Sequence, residues 1–136
     1  MNIDQLSAQL IIDEGRRAKA YKDSVGKLTI GVGRNLDDVG LRDDEIKLML
    51  QNDISEVCSA LDKDLPWWSD MSEARQQVLA NMCFNLGISR LLGFTNTLDA
   101  MKEGRFDAAA NGMIASLWAR QVGQRAQRLA QMMRNG

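Results

Sequence analysis

Two carboxylates and a threonine are the residues of this chain with the clearest capacity for chemistry. Glu14 closes a helical pattern in Asp13-Glu14-Gly15. Asp23 opens a glycine-punctuated run, Tyr21-Lys22-Asp23-Ser24-Val25-Gly26-Lys27-Leu28-Thr29-Ile30-Gly31-Val32-Gly33-Arg34, and Thr29 stands on its second half. Acids carried on two rigidly connected elements can face each other across a cleft. One can then protonate a leaving oxygen while the other activates water or attacks the carbon. That is the equipment for breaking a glycosidic bond.

The elements that must hold these groups are legible in outline. Asn2 can cap a first helix, with Gln5 three residues on as in a capping box. Ile3, Leu6, Leu10 and Ile11 form its apolar stripe. Glu14 falls in the last turn, where the helix dipole disfavours an acid. That is a mild pointer to function, set against the plain alternative of a solvated side chain. From Tyr21 to Gly33 the glycines are too dense for a helix, and Leu28, Ile30 and Val32 alternate as in a strand. A small hairpin turning at Ser24-Val25-Gly26-Lys27 is expected, and it must lean on helices to be stable.

Ile46, Met49, Leu50, Ile54, Val57, Cys58 and Leu61 set the rhythm of a long helix over 43–61, with Asp43, Asp44 and Glu45 in its first turn. Pro66-Trp67-Trp68 breaks the pattern. The tryptophans could stack on sugar rings, but a packed corner is the plainer reading. Ser72 is the expected cap of a helix apolar nearly all round (Val78, Leu79, Ala80, Met82, Cys83, Phe84, Leu86), which belongs at the centre of a bundle. A short helical piece over 89–92 follows. Thr95 is the expected cap of a helix through Met101. Phe106 to Trp118 reads as one amphipathic helix, and the last, with Val122, Ala126, Leu129, Ala130 and Met133, carries Arg120, Arg125, Arg128 and Arg134 on its other faces. The fold class is α+β, mostly α: one helix, a small β lobe, a long helix, then a helical bundle.

Composition narrows the function. The 136 residues hold 17 Lys and Arg against 18 Asp and Glu, so nothing in the totals points to nucleic acid. With no histidine, histidine-dependent zinc chemistry and Ser-His or Cys-His nucleophiles drop out. Cys58 and Cys83 lie on apolar helix faces and read as free core thiols. No metal and no cofactor is expected. The start, Met1-Asn2-Ile3-Asp4, lacks the features of a signal peptide, and no apolar run spans a bilayer. Accumulation in the cytoplasm of the producing cell, as a monomer without membrane insertion, is the expectation.

Taken in order, these motifs resemble the phage-type lysozymes, the glycoside hydrolases represented by the lysozyme of the T-even bacteriophages. Asp13-Glu14-Gly15, Tyr21-Lys22-Asp23 and Thr29-Ile30-Gly31-Val32-Gly33 carry the resemblance at one end. Asn81-Met82-Cys83-Phe84, Gly93-Phe94-Thr95-Asn96-Thr97-Leu98, Arg105-Phe106-Asp107, Trp118 and Arg125-Ala126 carry it at the other. The resemblance covers essentially the whole chain. It implies a single lysozyme-like domain: a β lobe over about 13–42, a connecting helix over 43–61, and a helical lobe of 62–136 plus 1–12.

The activity it implies is a muramidase acting on peptidoglycan, with Glu14 as general acid, Asp23 as second carboxylate and Thr29 placing the water. Phe84 and Thr97 match saccharide-binding positions. Asn35 and Gly112 match two more, but Asn35 stands where an apolar residue is usual and Gly112 where an amide is usual. Arg125 falls where the family places a group beside Glu14. Arg34 replaces a histidine whose partner aligns with Asp53, so a bidentate Arg34–Asp53 pair is expected. The chain between Arg34 and Arg42 is short, which implies a β lobe reduced to a minimal hairpin. In a phage setting, release to the wall would depend on a membrane-permeabilising holin. The competing readings are a lytic transglycosylase, which needs one acid and no water, and a non-catalytic peptidoglycan-binding module.

Overall fold

A computed structural model describes all 136 residues. Its packing separates two compact units, Met1–Leu48 and Met49–Gly136. The first holds a helix and a sheet. Helix α1 (Ile3–Glu14) starts as expected, with Asn2 Oδ1 accepting the Gln5 N–H at 3.0 Å. It stops at Gly15, whose N–H reaches back to the Ile11 carbonyl. No residue of α1 is buried, so its apolar stripe stays open.

Strands β1 (Arg17–Lys22), β2 (Leu28–Gly31) and β3 (Arg34–Asn35) form an antiparallel sheet in the order β1-β2-β3. Tyr21 faces Thr29, and Thr29 faces Asn35. Two expectations are corrected here. The first strand begins four residues before Tyr21, because the alternation of Arg17-Ala18-Lys19-Ala20 rests on two exposed alanines, too small to mark a buried face. A third strand also joins the expected hairpin. Gly31 and Gly33, at φ +69° and +68°, turn the chain back so that Arg34 pairs with Ile30. Thr29 is the only buried residue in Met1–Leu48, at 4% exposure.

Helix α2 (Asp43–Asp64) continues into the second unit. A 3-10 turn (Pro66–Asp70) follows, where Trp68 is buried and its Nε1–H donates to Asp62 at 2.7 Å. This is the packed corner. Helices α3 (Glu73–Leu86), α4 (Ile88–Leu92), α5 (Thr95–Lys102), α6 (Phe106–Ala115), α7 (Leu117–Val122) and α8 (Gln124–Asn135) complete the bundle. Ser72 caps α3, which buries Val78, Leu79, Met82 and Cys83 and packs on α8 and α4.

Thr95 is not a cap. Phe94 holds that position with no side-chain bond, and Thr95 is inside α5. The helix expected from Phe106 to Trp118 breaks at Ser116. That hydroxyl donates to the Met113 carbonyl at 2.6 Å and accepts the Ala119 N–H at 3.2 Å, ending α6 and starting α7. Cys58 and Cys83 are free thiols, and burial pushes the Cys83 thiol up.

Leu61, Leu79, Met82, Leu91, Met101, Met113, Leu129 and Met133 are each less than 2% exposed and fill one core. Substituting Ala for Leu61 or Met82 should lower unfolding stability by about 2–5 kcal/mol, measured by urea titration. The same change at the exposed Leu117 should cost far less.

Candidate functional site

Glu14 is exposed to solvent, and its side chain lies beside Gly33. A Cβ built on Gly33 would stand 2.9 Å from Glu14 Oε2, 3.2 Å from its Cδ and 3.3 Å from its Cβ. Gly33 also sits at φ +68°, where L side chains are strained. The acid on α1 is thereby brought onto the turn between β2 and β3. The motif Thr-Ile-Gly-Val-Gly contained this residue without revealing its role. The signal was a second glycine straight after an alternating strand, which marks a close approach as readily as a turn.

Asp23 and Thr29 are organised by a single carbonyl. Asp23 Oδ1 accepts the N–H groups of Val25 and Lys27 at 3.0 and 2.8 Å, and the Asp23 N–H donates to the Lys27 carbonyl at 2.9 Å. The Thr29 hydroxyl donates to the same Lys27 carbonyl at 2.9 Å. The loop therefore fixes both side chains. Asp23 keeps its second oxygen for a ligand, and the Thr29 oxygen can still accept a bond from water.

Arg34 does not take Asp53 as its partner. Its two terminal nitrogens meet the two oxygens of Glu45 at 2.7 and 2.8 Å, and one also donates to the Gly40 carbonyl at 3.2 Å. Glu45 sits in the first turn of α2, eleven residues on, and the short loop delivers it to Arg34. The Arg34 hydrogen bond, with a second from the Arg42 N–H, holds the Glu45 carboxyl down to about 2. The same contact raises Arg34. Asn35 is also occupied: its amide donates to Asp38 at 3.0 Å and its oxygen accepts the Asp38 N–H at 2.9 Å, closing a turn.

In Met49–Gly136 the remaining residues fall into two groups. Phe84, 45% exposed, lines a groove of about 370 Å³ with Asn81, Arg125, Leu50 and Ile54. Arg125 is held there by Asn81, whose Oδ1 accepts from Nε and a terminal nitrogen at 2.9 and 2.7 Å. An adjoining cavity of about 330 Å³ brings Phe84 together with Asp53 and Glu56. Thr97 and Gly112 share a third cavity, of about 600 Å³, with Phe94 and Trp118. A Cβ at Gly112 would collide with Thr97 Oγ1. Gly112 therefore offers no side chain to a ligand and instead lets α5 and α6 approach. Asn81 and Glu45 are the partners that residue types alone did not name.

The fold and these carboxylates define a class that comparison makes specific. The pattern of the family described as phage lysozyme matches residues 12–134. The chain belongs to the phage lysozyme family, and so to the glycoside hydrolases. It is 28% identical to the pre-baseplate central spike protein Gp5 of Enterobacteria phage T4 over 91% of its length, but spans only 26% of that protein. It is 24% and 25% identical to probable T4-type lysozymes 1 and 2 of Dictyostelium discoideum, covering 98% of this chain and 96% of each relative.

The Arg34–Glu45 pair has a defined pH signature. The folded carboxyl lies at about 2 against an ordinary 4.5. Its stabilisation is therefore complete above about pH 4.5 and lost as pH falls toward 2. Thermal melts should place Glu45→Gln below wild type at pH 7, with the gap closing toward pH 2. Gly33→Ala should displace Glu14 and lower catalytic rate at least tenfold while the circular dichroism of the bundle is unchanged.

Proposed function

We propose that this protein is an endolysin that hydrolyses the β-1,4 bond between N-acetylmuramic acid and N-acetylglucosamine in bacterial peptidoglycan. The observation that carries this reading is the seat of Glu14 on Gly33, on the same β turn system that fixes Asp23 and Thr29. Glu14 gives its proton to the leaving glycosidic oxygen as the bond breaks. Asp23 and Thr29 hold a water that attacks the anomeric carbon, and Asp23 stabilises the positive charge that develops on the sugar. The water loses its proton to the Asp23 carboxylate, so the reaction is general acid/base catalysis with inversion.

Phe84 and Thr97 contact the saccharide, with Asn35 and Gly112 at the margins. Arg125 and Arg34 have supporting roles, Arg34 through Glu45. The chain works as one lysozyme-like domain and a monomer, without cofactor. It waits in the cytoplasm of the infected host until a holin opens the way to the wall, and wall cleavage then lyses the cell. No helix is long and apolar enough to cross a membrane.

A lytic transglycosylase would need neither Asp23 nor Thr29 held in this way. The test is turbidity loss of outer-membrane-permeabilised Gram-negative cells, with product masses. Wild type should clear the cells and leave hydrated reducing ends, and Glu14→Gln should be slower by about 10²–10⁴. Anhydro ends would establish the transglycosylase. Binding to sacculi without clearing would establish a non-catalytic module.

A further inference from the structure

We propose that Asp37 is a positioning residue for the attacking water, acting through the single peptide group that joins Lys27 to Leu28. This rests on the reading of the chain as a hydrolase. It adds to that reading a residue that touches neither the saccharide nor the water.

A trans peptide is planar, so its carbonyl and its N–H turn together. The carbonyl of this peptide is the one that accepts both the Asp23 N–H and the Thr29 hydroxyl, each at 2.9 Å. Its N–H, on Leu28, donates to Asp37 Oδ2 at 2.8 Å. Whatever orients the N–H therefore orients the carbonyl on which Asp23 and Thr29 both depend.

The end of the sheet leaves that task to Asp37. Strand β3 stops at Asn35, and the Leu36 N–H still donates to the Leu28 carbonyl at 2.7 Å. The next bond of the ladder needs an acceptor opposite the Leu28 N–H, and the Asp37 carboxylate stands in for the missing carbonyl. A turn presents it there. Asn35 Oδ1 accepts the Asp38 N–H at 2.9 Å, the Asn35 carbonyl accepts the Val39 N–H at 3.0 Å, and Lys27 Nζ reaches Asp38 at 3.1 Å. Asp37 is exposed, so this bond and not apolar packing ties it to the sheet.

The charge matters as well as the position. An ionised acceptor binds an N–H more strongly than a neutral one, and it polarises the peptide so that the opposite carbonyl accepts better. The Thr29 hydroxyl then keeps its proton on the Lys27 carbonyl, and its lone pairs accept from the water. The water's own lone pair stays free to attack. Without Asp37 the hydroxyl turns more freely and donates to the water, engaging the lone pair that the reaction needs.

The test compares wild type, Asp37→Ala and Asp37→Asn on purified Gram-negative sacculi, with kcat and KM from new reducing ends. Asp37→Ala should lower kcat about five- to tenfold, with KM within about twofold of wild type. Asp37→Asn, whose side-chain oxygen still accepts the N–H, should keep kcat within about threefold. In NMR spectra of the unliganded protein the Thr29 hydroxyl proton should exchange slowly in wild type and Asp37→Asn and rapidly in Asp37→Ala. The amide spectrum of Met49–Gly136 should be the same in all three. An unchanged kcat in Asp37→Ala, a change confined to KM, an equal loss in both variants, or Thr29 exchange that is alike in all three would overturn the proposal. If wild type cuts no sacculi, the hydrolase reading fails instead and the NMR comparison decides: slow Thr29 exchange lost only in Asp37→Ala upholds the action of Asp37 through the peptide, and any other pattern overturns it.

Discussion

The absence of a side chain at Gly33 is the constraint on which the acid end of this protein depends. A carboxylate at the end of a helix is mobile and solvated unless something meets it. Here Glu14 is exposed and its carboxylate makes no hydrogen bond, and what it meets is the backbone of a turn, close enough that a Cβ on Gly33 would force that carboxylate to move. The φ of +68° makes the same residue the natural pivot between β2 and β3. One glycine thus joins two requirements: the chain must reverse there, and Glu14 must lie against it. In the proposed function, the closeness of Glu14 to Gly33 is what orients it as the proton donor, since the rate advantage of such a group comes from its orientation.

Around that contact, hydrogen bonds and ion pairs divide the work. The Lys27 carbonyl and two backbone N–H groups fix the Asp23 and Thr29 side chains, leaving one Asp23 oxygen free. The Arg34–Glu45 pair and the Asn35–Asp38 turn hold the return of the sheet to α2. A sheet of so few short strands has almost no core of its own, and these polar contacts supply its definition. The helical unit is organised in the opposite way, by a continuous apolar core from Leu61 to Met133.

Much of this was legible because it depends on local rules. Asn2 and Ser72 capped their helices, the three-four rhythm marked α2, the dense apolar run after Ser72 marked α3, and the motif order carried the family. What escaped depends on partners distant in sequence or on competition between neighbours. Ser116 splits a helix because its hydroxyl bonds backbone on both sides, an option that apolar periodicity does not register. Phe94 displaces Thr95 from the cap position. Arg34 finds Glu45 instead of Asp53 because the loop to α2 is short, and alignment identified a position without measuring reach. The grip of Asn81 on Arg125 and the closeness of Gly112 to Thr97 are likewise facts of packing.

The central claim is that Glu14 donates the proton while a water held by Asp23 and Thr29 attacks the sugar. The stereochemistry of the first product tests it most directly. Proton NMR of a chitin-like or peptidoglycan oligosaccharide, recorded within the first turnovers and before mutarotation, resolves the anomers of the new reducing end. An α-anomer formed first means inversion by water, as this account predicts. A β-anomer formed first would mean retention through a covalent intermediate on Asp23, and would contradict it.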